Sequence, residues 1–408
     1  MTVDTTYSPP AADIDHLKSR ALIAGVIGLV GCGIGVLVDR DHFFRSWLVA
    51  YMLFFGIALG SLALIMVQHL SGGAWGVFRR VFEASSRTLP LLMVLFVPVL
   101  IGMGTLYPWT HADHVAADEV MTKKAPYLNT TFFVVRAVVY FAGFWLLASL
   151  LNKWSRQQDE GNVGANVRLQ RLSGAGLVFY ALAVTFAGVD WVMSLNPHWY
   201  STIFGFLMIG GQGLAALAFT ILVSAFLFRR NPMADLLKPS HFHDLGKLMF
   251  AFVMLWAYFN FSQYMLTYAA NLIEEVPYMI TRTTHGWQYL ALFLVIFHFA
   301  VPWLLLLSRD LKRNPGRLVV VAVWMLFVRF ADLYMMVSPE FDASGGSNLH
   351  LLAGEHASHF FVHWLDLAAP LAIGGLWLWM FFTELRRRPL LATGDPYLRA
   401  ALESGGGH

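Results

Sequence analysis

The 408 residues are 57% hydrophobic and 13% charged, with a formal net charge of +3. A soluble domain carries roughly 25% charged residues, so the composition excludes an ordinary water-soluble globule and predicts an integral membrane protein. One cysteine, Cys32, and no CxxCH sequence exclude an iron–sulfur cluster held by this chain, an intrachain disulfide and covalently attached haem.

The first 20 residues, MTVDTTYSPPAADIDHLKSR, are polar and acidic, unlike the basic start of a secretory signal, so the apolar run that follows is expected to stay in the membrane. At about 20 apolar residues per crossing, ten spans follow in chain order. They lie near 20–38, 46–70, 89–107, 131–152, 172–194, 202–228, 248–272, 286–308, 318–337 and 359–383. The chain is thus expected to hold an amino-terminal tail (1–19), a first membrane helix and its loop (20–45), a first four-helix unit (46–194), a second (202–337), an outer loop (338–358), a tenth helix (359–383) and a tail (384–408).

With both termini cytoplasmic, the inner segments hold 21 Lys and Arg and the outer loops 5, namely Arg40, Arg45, Lys123, Lys124 and Arg282. That asymmetry predicts the orientation by the positive-inside rule. It also accounts for the basic residues without a nucleic-acid partner. The turns LYPWTH (106–111) and LNPHWYS (195–201) suit the outer interface, where aromatic residues anchor.

Two units are expected because FAGFWLLASLLNK, from Phe141, and FAVPWLLLLSRDLK, from Phe299, lie 158 residues apart on spans of the same direction. Spans two to five and six to nine then form parallel repeats, with spans one and ten as peripheral additions. Gly56, Gly60, Gly210, Gly211 and Gly213 are expected to let helices approach closely.

Polar residues inside spans are costly and call for partners or a use. Arg136 on span four and Asp190 on span five fall at similar depth and are expected to form a structural ion pair. A deeper set comprises Asn260 and Gln263 on span seven, His298 on span eight, Arg329 and Asp332 on span nine, and His363 and Asp366 on span ten. On a helical span ten, His356, His359, His363 and Asp366 form one stripe entering from the outside, since residues three and four apart share a face. The set reads either as polar packing across helices or as a proton path, for which histidine titrates in the right range.

The pairs His285/His298 and His350/His363 invite a b-haem, but His285 lies at the interface and His350 in a loop. His359 and His363 would suit a metal only with a third ligand, which is not evident. No metal or cofactor is therefore expected on the chain itself, and no catalytic residue is assigned. A secondary transporter fits the repeats but lacks matched broken helices.

The phrases FAGVDWVMSLNPHWYSTIFG (186–205), HDLGKLMFAFVMLWAYFNFSQYMLTYAANLIEEVP (243–277), HFAVPWLLLLSRDLKR (298–313) and HLSGGAWGVFRRVFEA (69–84) resemble the ActF-type subunit of bacterial alternative complex III. That subunit is one of the NrfD/polysulfide-reductase-type membrane proteins. The resemblance extends from about residue 45 to 384. It implies a respiratory-chain complex in the bacterial cytoplasmic membrane that oxidises quinol and passes electrons through iron–sulfur and c-haem subunits to a cytochrome or copper protein. This chain would be a subunit without redox centres, not catalytic alone. Scaffolding, contact with menaquinone or another quinone, lipid contact and proton translocation all stay open as its role. The alternatives are a quinol-binding anchor of a molybdopterin or polysulfide-type reductase and a stand-alone ion-coupled transporter.

Overall fold

A computed structural model describes residues 7–273, 275–341 and 359–403. The described residues are almost entirely helical, and ten helices are long and apolar enough to cross a membrane: α1 (Ala11–Val38), α2 (Arg40–Ser71), α3 (Ala74–Ile101), α4 (Thr130–Asp159), α5 (Gly164–Leu195), α6 (Phe204–Leu227), α7 (Pro239–Ala270), α8 (Trp287–Leu307), α9 (Pro315–Glu340) and α10 (Leu365–Arg386). The protein is an all-α integral membrane protein. Helices dominate because lipid offers no partners, so each span must satisfy its own backbone.

Local chemistry sets where spans start and bend. Asp39 leaves the helical region (φ −151°) and its carboxylate accepts the His42 backbone N–H at 3.2 Å, so α2 starts afresh directly after α1. In α3, Pro90 and Pro98 each occupy the first turn of a short helical run, where a missing N–H is tolerated. The segment is consequently a chain of short helices rather than one rod. In α8 a π-helical turn, Val295–Ala300, ends two residues before Pro302. Proline cannot donate to the preceding turn.

The centre of the molecule is the seam between α2 and α6, whose apolar windows are 89% and 83% buried. These helices occupy matching positions in the two expected units. A Cβ on Gly60 of α2 would lie 2.1 Å from the Gln212 carbonyl oxygen of α6, so only glycine permits this approach. Helices α1 and α10 pair along their length and flank α2, while Ile23, Ile27 and Val30 of α1 face outward as a lipid-facing surface would.

Two boundaries differ from expectation. Helix α1 begins at Ala11, inside the segment expected as a tail, and α10 begins at Leu365 rather than at 359. The first described residue and the segment after α10 meet on one face, here the termini face: the Leu390 N–H donates to the Tyr7 carbonyl at 2.9 Å. The segment after α10 is sewn to that face. Lys238 Nζ donates to the Leu402 carbonyl at 2.9 Å, and the Gly394 N–H donates to Asp159 Oδ1 at 3.2 Å.

The α1–α10 contact also brings two backbones close together. A Cβ on Gly28 would lie 2.2 Å from the Ala372 backbone nitrogen, whereas Gly33, on another face of α1, has open space. Gly28→Leu is expected to cost about 1–3 kcal/mol, the usual penalty of overpacking, and Gly33→Leu close to nothing. Melting curves of the two variants in detergent check this, and equal midpoints would contradict the packing account.

Candidate functional site

Two buried charges sit together on α9. Arg329 and Asp332, three residues apart, are 2% and 3% exposed and paired with one another. Trp256 of α7 donates its indole N–H to Asp332 Oδ2 at 3.0 Å, giving the carboxylate a second partner. Gly211 makes the pair fit: a Cβ there would lie 2.1 Å from Arg329 Cζ. The sequence suggested that Gly211 admits a neighbouring helix, but it makes room for a guanidinium.

His298 lies on the π-helical turn of α8 with its ring stacked on Trp256, centroids 3.9 Å apart and planes 23° apart. It is fully buried, and neither ring nitrogen has a hydrogen-bond partner among the described residues. A π turn widens the helix and is frequent at functional sites. Trp256 thus sits between a titratable imidazole and a paired carboxylate. Asn260 and Gln263 are used elsewhere. Asn260 donates to the Trp256 carbonyl at 2.9 Å on its own helix, and Gln263 engages Ser201 and Thr267. No hydrogen bond among the described residues joins either side chain to Asp332.

The expected histidine stripe takes another form. Residues 359–364 precede α10 and are not helical, so His359, His363 and Asp366 do not share a helix face, and His356 lies outside the described residues. His359 meets His285 edge to face at 5.0 Å. His350, considered with His363 as a haem pair, also lies outside the described residues. Asp366 stands in the first turn of α10 and accepts the His363 backbone N–H at 2.8 Å.

Asp366 is also the centre of a buried cluster. Arg45 Nη2 donates to both carboxylate oxygens at 3.0 Å, Ser46 Oγ donates at 2.5 Å and Tyr334 Oη at 3.2 Å. The Arg45 cation lies 4.4 Å from the centre of the Phe361 ring. Arg45 was expected in an outer loop, yet it is fully buried on α2. Nearer the face opposite the termini, His42 and His363 stack at 4.4 Å, and His42 Nδ1 lies 2.6 Å from Asp39 Oδ2. Burial first, and then neighbouring His42, push the His363 imidazole below its ordinary range.

One ligand atom each from Asp39, His42 and His363 fall within 4.8 Å of one another. The 2.6 Å separation of two of them is well short of the about 3.3 Å that 2.0–2.2 Å tetrahedral bonds would set. The trio is therefore arranged as a hydrogen-bonded cluster rather than as a preformed ion cage. Helix α9 contributes to both polar centres, with Asp332 bonded to Trp256 of α7 and Tyr334 to Asp366 of α10. Among the described residues no continuous hydrogen-bonded path links them.

Between α4 and α5, Arg136 and Asp190 meet side on, Nε to Oδ2 at 2.8 Å and Nη2 to Oδ1 at 2.9 Å, with the Tyr140 hydroxyl donating to Oδ2 at 2.9 Å. The sequence reading missed a larger network at the termini face. Glu83, 1% exposed, accepts from Arg79 Nε at 2.8 Å, Arg80 Nη1 at 2.5 Å and Ser155 Oγ at 2.6 Å. Arg388 approaches it at 3.4 Å, and Arg79 Nη1 also reaches Asp395 at 3.1 Å. The only signal available was the density of charge in RRVFEASSR (79–87), which orientation already explained. No family model matches the sequence, and no curated protein matches it.

Proposed function

We propose that the chain is a membrane subunit of a quinol:electron-acceptor oxidoreductase of the alternative complex III type. It would sit in the bacterial cytoplasmic membrane with both termini in the cytoplasm, beside iron–sulfur and c-haem subunits, and carry no redox centre of its own. Within that assembly the second helical unit handles protons. The observation that supports this is His298, a fully buried imidazole whose two nitrogens have no partner among the described residues, stacked on the indole that holds Asp332. Packing alone gives no use to such a group, because a buried polar atom without a partner costs stability.

In this reading His298 exchanges the proton. Arg329 and the Trp256 N–H engage the Asp332 carboxylate, and the same indole carries the imidazole on its face. Arg329 does not carry protons, and its charge opposes the passage of other cations. The Asp39, His42 and His363 group offers titratable side chains at the opposite face, where protons would leave.

Native purification is expected to bring the chain down with c-haem and iron–sulfur polypeptides. In vesicles of that complex, His298→Phe and Asp332→Asn are each expected to lower quinol-driven proton release, with His298→Phe slowing turnover by up to about 100-fold, the lower range of acid–base contributions. Assembled variants with normal turnover and normal proton stoichiometry would leave both residues as packing elements. Purification as a lone chain would defeat the complex itself.

A further inference from the structure

We propose that a groove at the termini face, between α3, α4 and α10, binds the headgroup of an anionic phospholipid. This site is separate from the polar centres described above and does not depend on the oxidoreductase reading. The groove encloses about 480 Å³, within the roughly 300–1,000 Å³ of small-molecule sites. One end is cationic. Arg87, Lys153, Arg156, Arg387 and Arg388 line it, against the single carboxylate of Glu384.

That carboxylate is already engaged, by Arg87 at 3.0 Å and by Arg387. Arg156 has only Glu160, at 3.9 Å, and Lys153 has no carboxylate within 4 Å among the described residues. Positive charge in the groove therefore exceeds what the protein itself neutralises. Ser149 adds a hydroxyl to the lining, whereas the Ser86 hydroxyl and the Asn152 amide already donate within the protein.

The other end is apolar: Leu89, Pro90, Trp145, Ala148 and Met380. Lys153 and Arg156 lie near the end of α4, and Trp145 lies about two turns further into the span. The groove thus meets the membrane with cations at headgroup depth and apolar surface below. Basic pockets between membrane helices take anionic headgroups, and the Trp145 side chain, 49% exposed, offers a flank for an acyl chain. A soluble anion would use only the cationic end, whereas a phospholipid uses both.

The test is native mass spectrometry of the full-length chain, released from detergent after delipidation and titrated with phosphatidylglycerol, with phosphatidylcholine of the same acyl chains, and with inorganic phosphate. One phosphatidylglycerol is expected to remain bound per chain, in preference to phosphatidylcholine. The double substitution Lys153→Gln/Arg156→Gln, at exposed positions, is expected to weaken that binding on the order of tenfold. Trp145→Ala is expected to weaken lipid binding while leaving any phosphate adduct unchanged. Equal retention of the two lipids, an unchanged double variant, or phosphate competing as well as the lipid would each overturn the proposal. So would a native complex in which an acidic segment of another subunit, located by cross-linking to Lys153, fills the groove.

Discussion

Glu83→Ala is expected to prevent the protein from accumulating as a monodisperse species. Glu83 is the one carboxylate shared by Arg79, Arg80 and Arg388, and Ser155 completes its hydrogen bonding. Removing one member of a buried ion pair costs about 3–5 kcal/mol, because the survivor stays buried and uncompensated. Here a single deletion leaves three guanidiniums with Asp159 and Asp395 as their remaining acidic partners among the described residues. Total stabilities are about 5–15 kcal/mol, so the loss consumes a large part of the margin. Glu83→Gln keeps an acceptor oxygen and should be milder, though still clearly destabilised. Size-exclusion profiles and melting midpoints of the two variants check this. A Glu83→Ala protein that elutes normally and melts near the parent would show that the arginines find water or other acceptors.

The Arg45–Asp366 pair should respond asymmetrically. Asp366→Ala leaves Arg45 fully buried with its two carboxylate bonds gone, and Nε and Nη1 already have no partner among the described residues. A loss of about 3–5 kcal/mol is expected. Arg45→Met is expected to cost less, because Asp366 keeps the Ser46 hydroxyl, the Tyr334 hydroxyl and the His363 N–H. The double variant Arg45→Met/Asp366→Leu should recover much of the Asp366→Ala loss, since apolar replacement of a buried pair is often neutral. Melting free energies of the three variants are the measurement. Arg45→Met proving worse than Asp366→Ala would reverse the assignment of the stranded partner.

The ten spans were legible because each needs a long apolar run and little else, and hydropathy reads that directly. The ends were less so. In α1 the helix continues through Asp13, Asp15, His16 and Lys18, residues that hydropathy assigns to a tail although backbone bonding carries on past the apolar stretch. Before α10 the reverse happens: the aromatic residues of HFFVHW (359–364) look like membrane helix but are not helical, and His363 instead bonds back to Asp366.

Among the polar groups, Arg136 and Asp190 could be matched by depth alone, since both lie inside spans, and the structure places them in contact. Arg329 with Asp332 could be matched by helical spacing. Arg45 could not be matched to Asp366, because a charge six residues into α2, near the end of a span, looks like an orientation signal until its burial is known. Asp39 and His42 were missed for a related reason, as the turn between α1 and α2 occupies one residue and reads as an ordinary polar loop. His298 was singled out by depth, but its π turn has no sequence signature beyond Pro302.

The segment after α10 bears on how the protein is made. Arg388 and Asp395, which reach Glu83 and Arg79, and the carbonyl of Leu402, which receives Lys238, all lie beyond the tenth span. A ribosome delivers them only after every span has been synthesised. Until then Glu83 is without its Arg388 contact and Arg79 without Asp395. Insertion and closure are therefore separate events in biogenesis, and the interval between them is when quality-control proteases would find the chain most accessible.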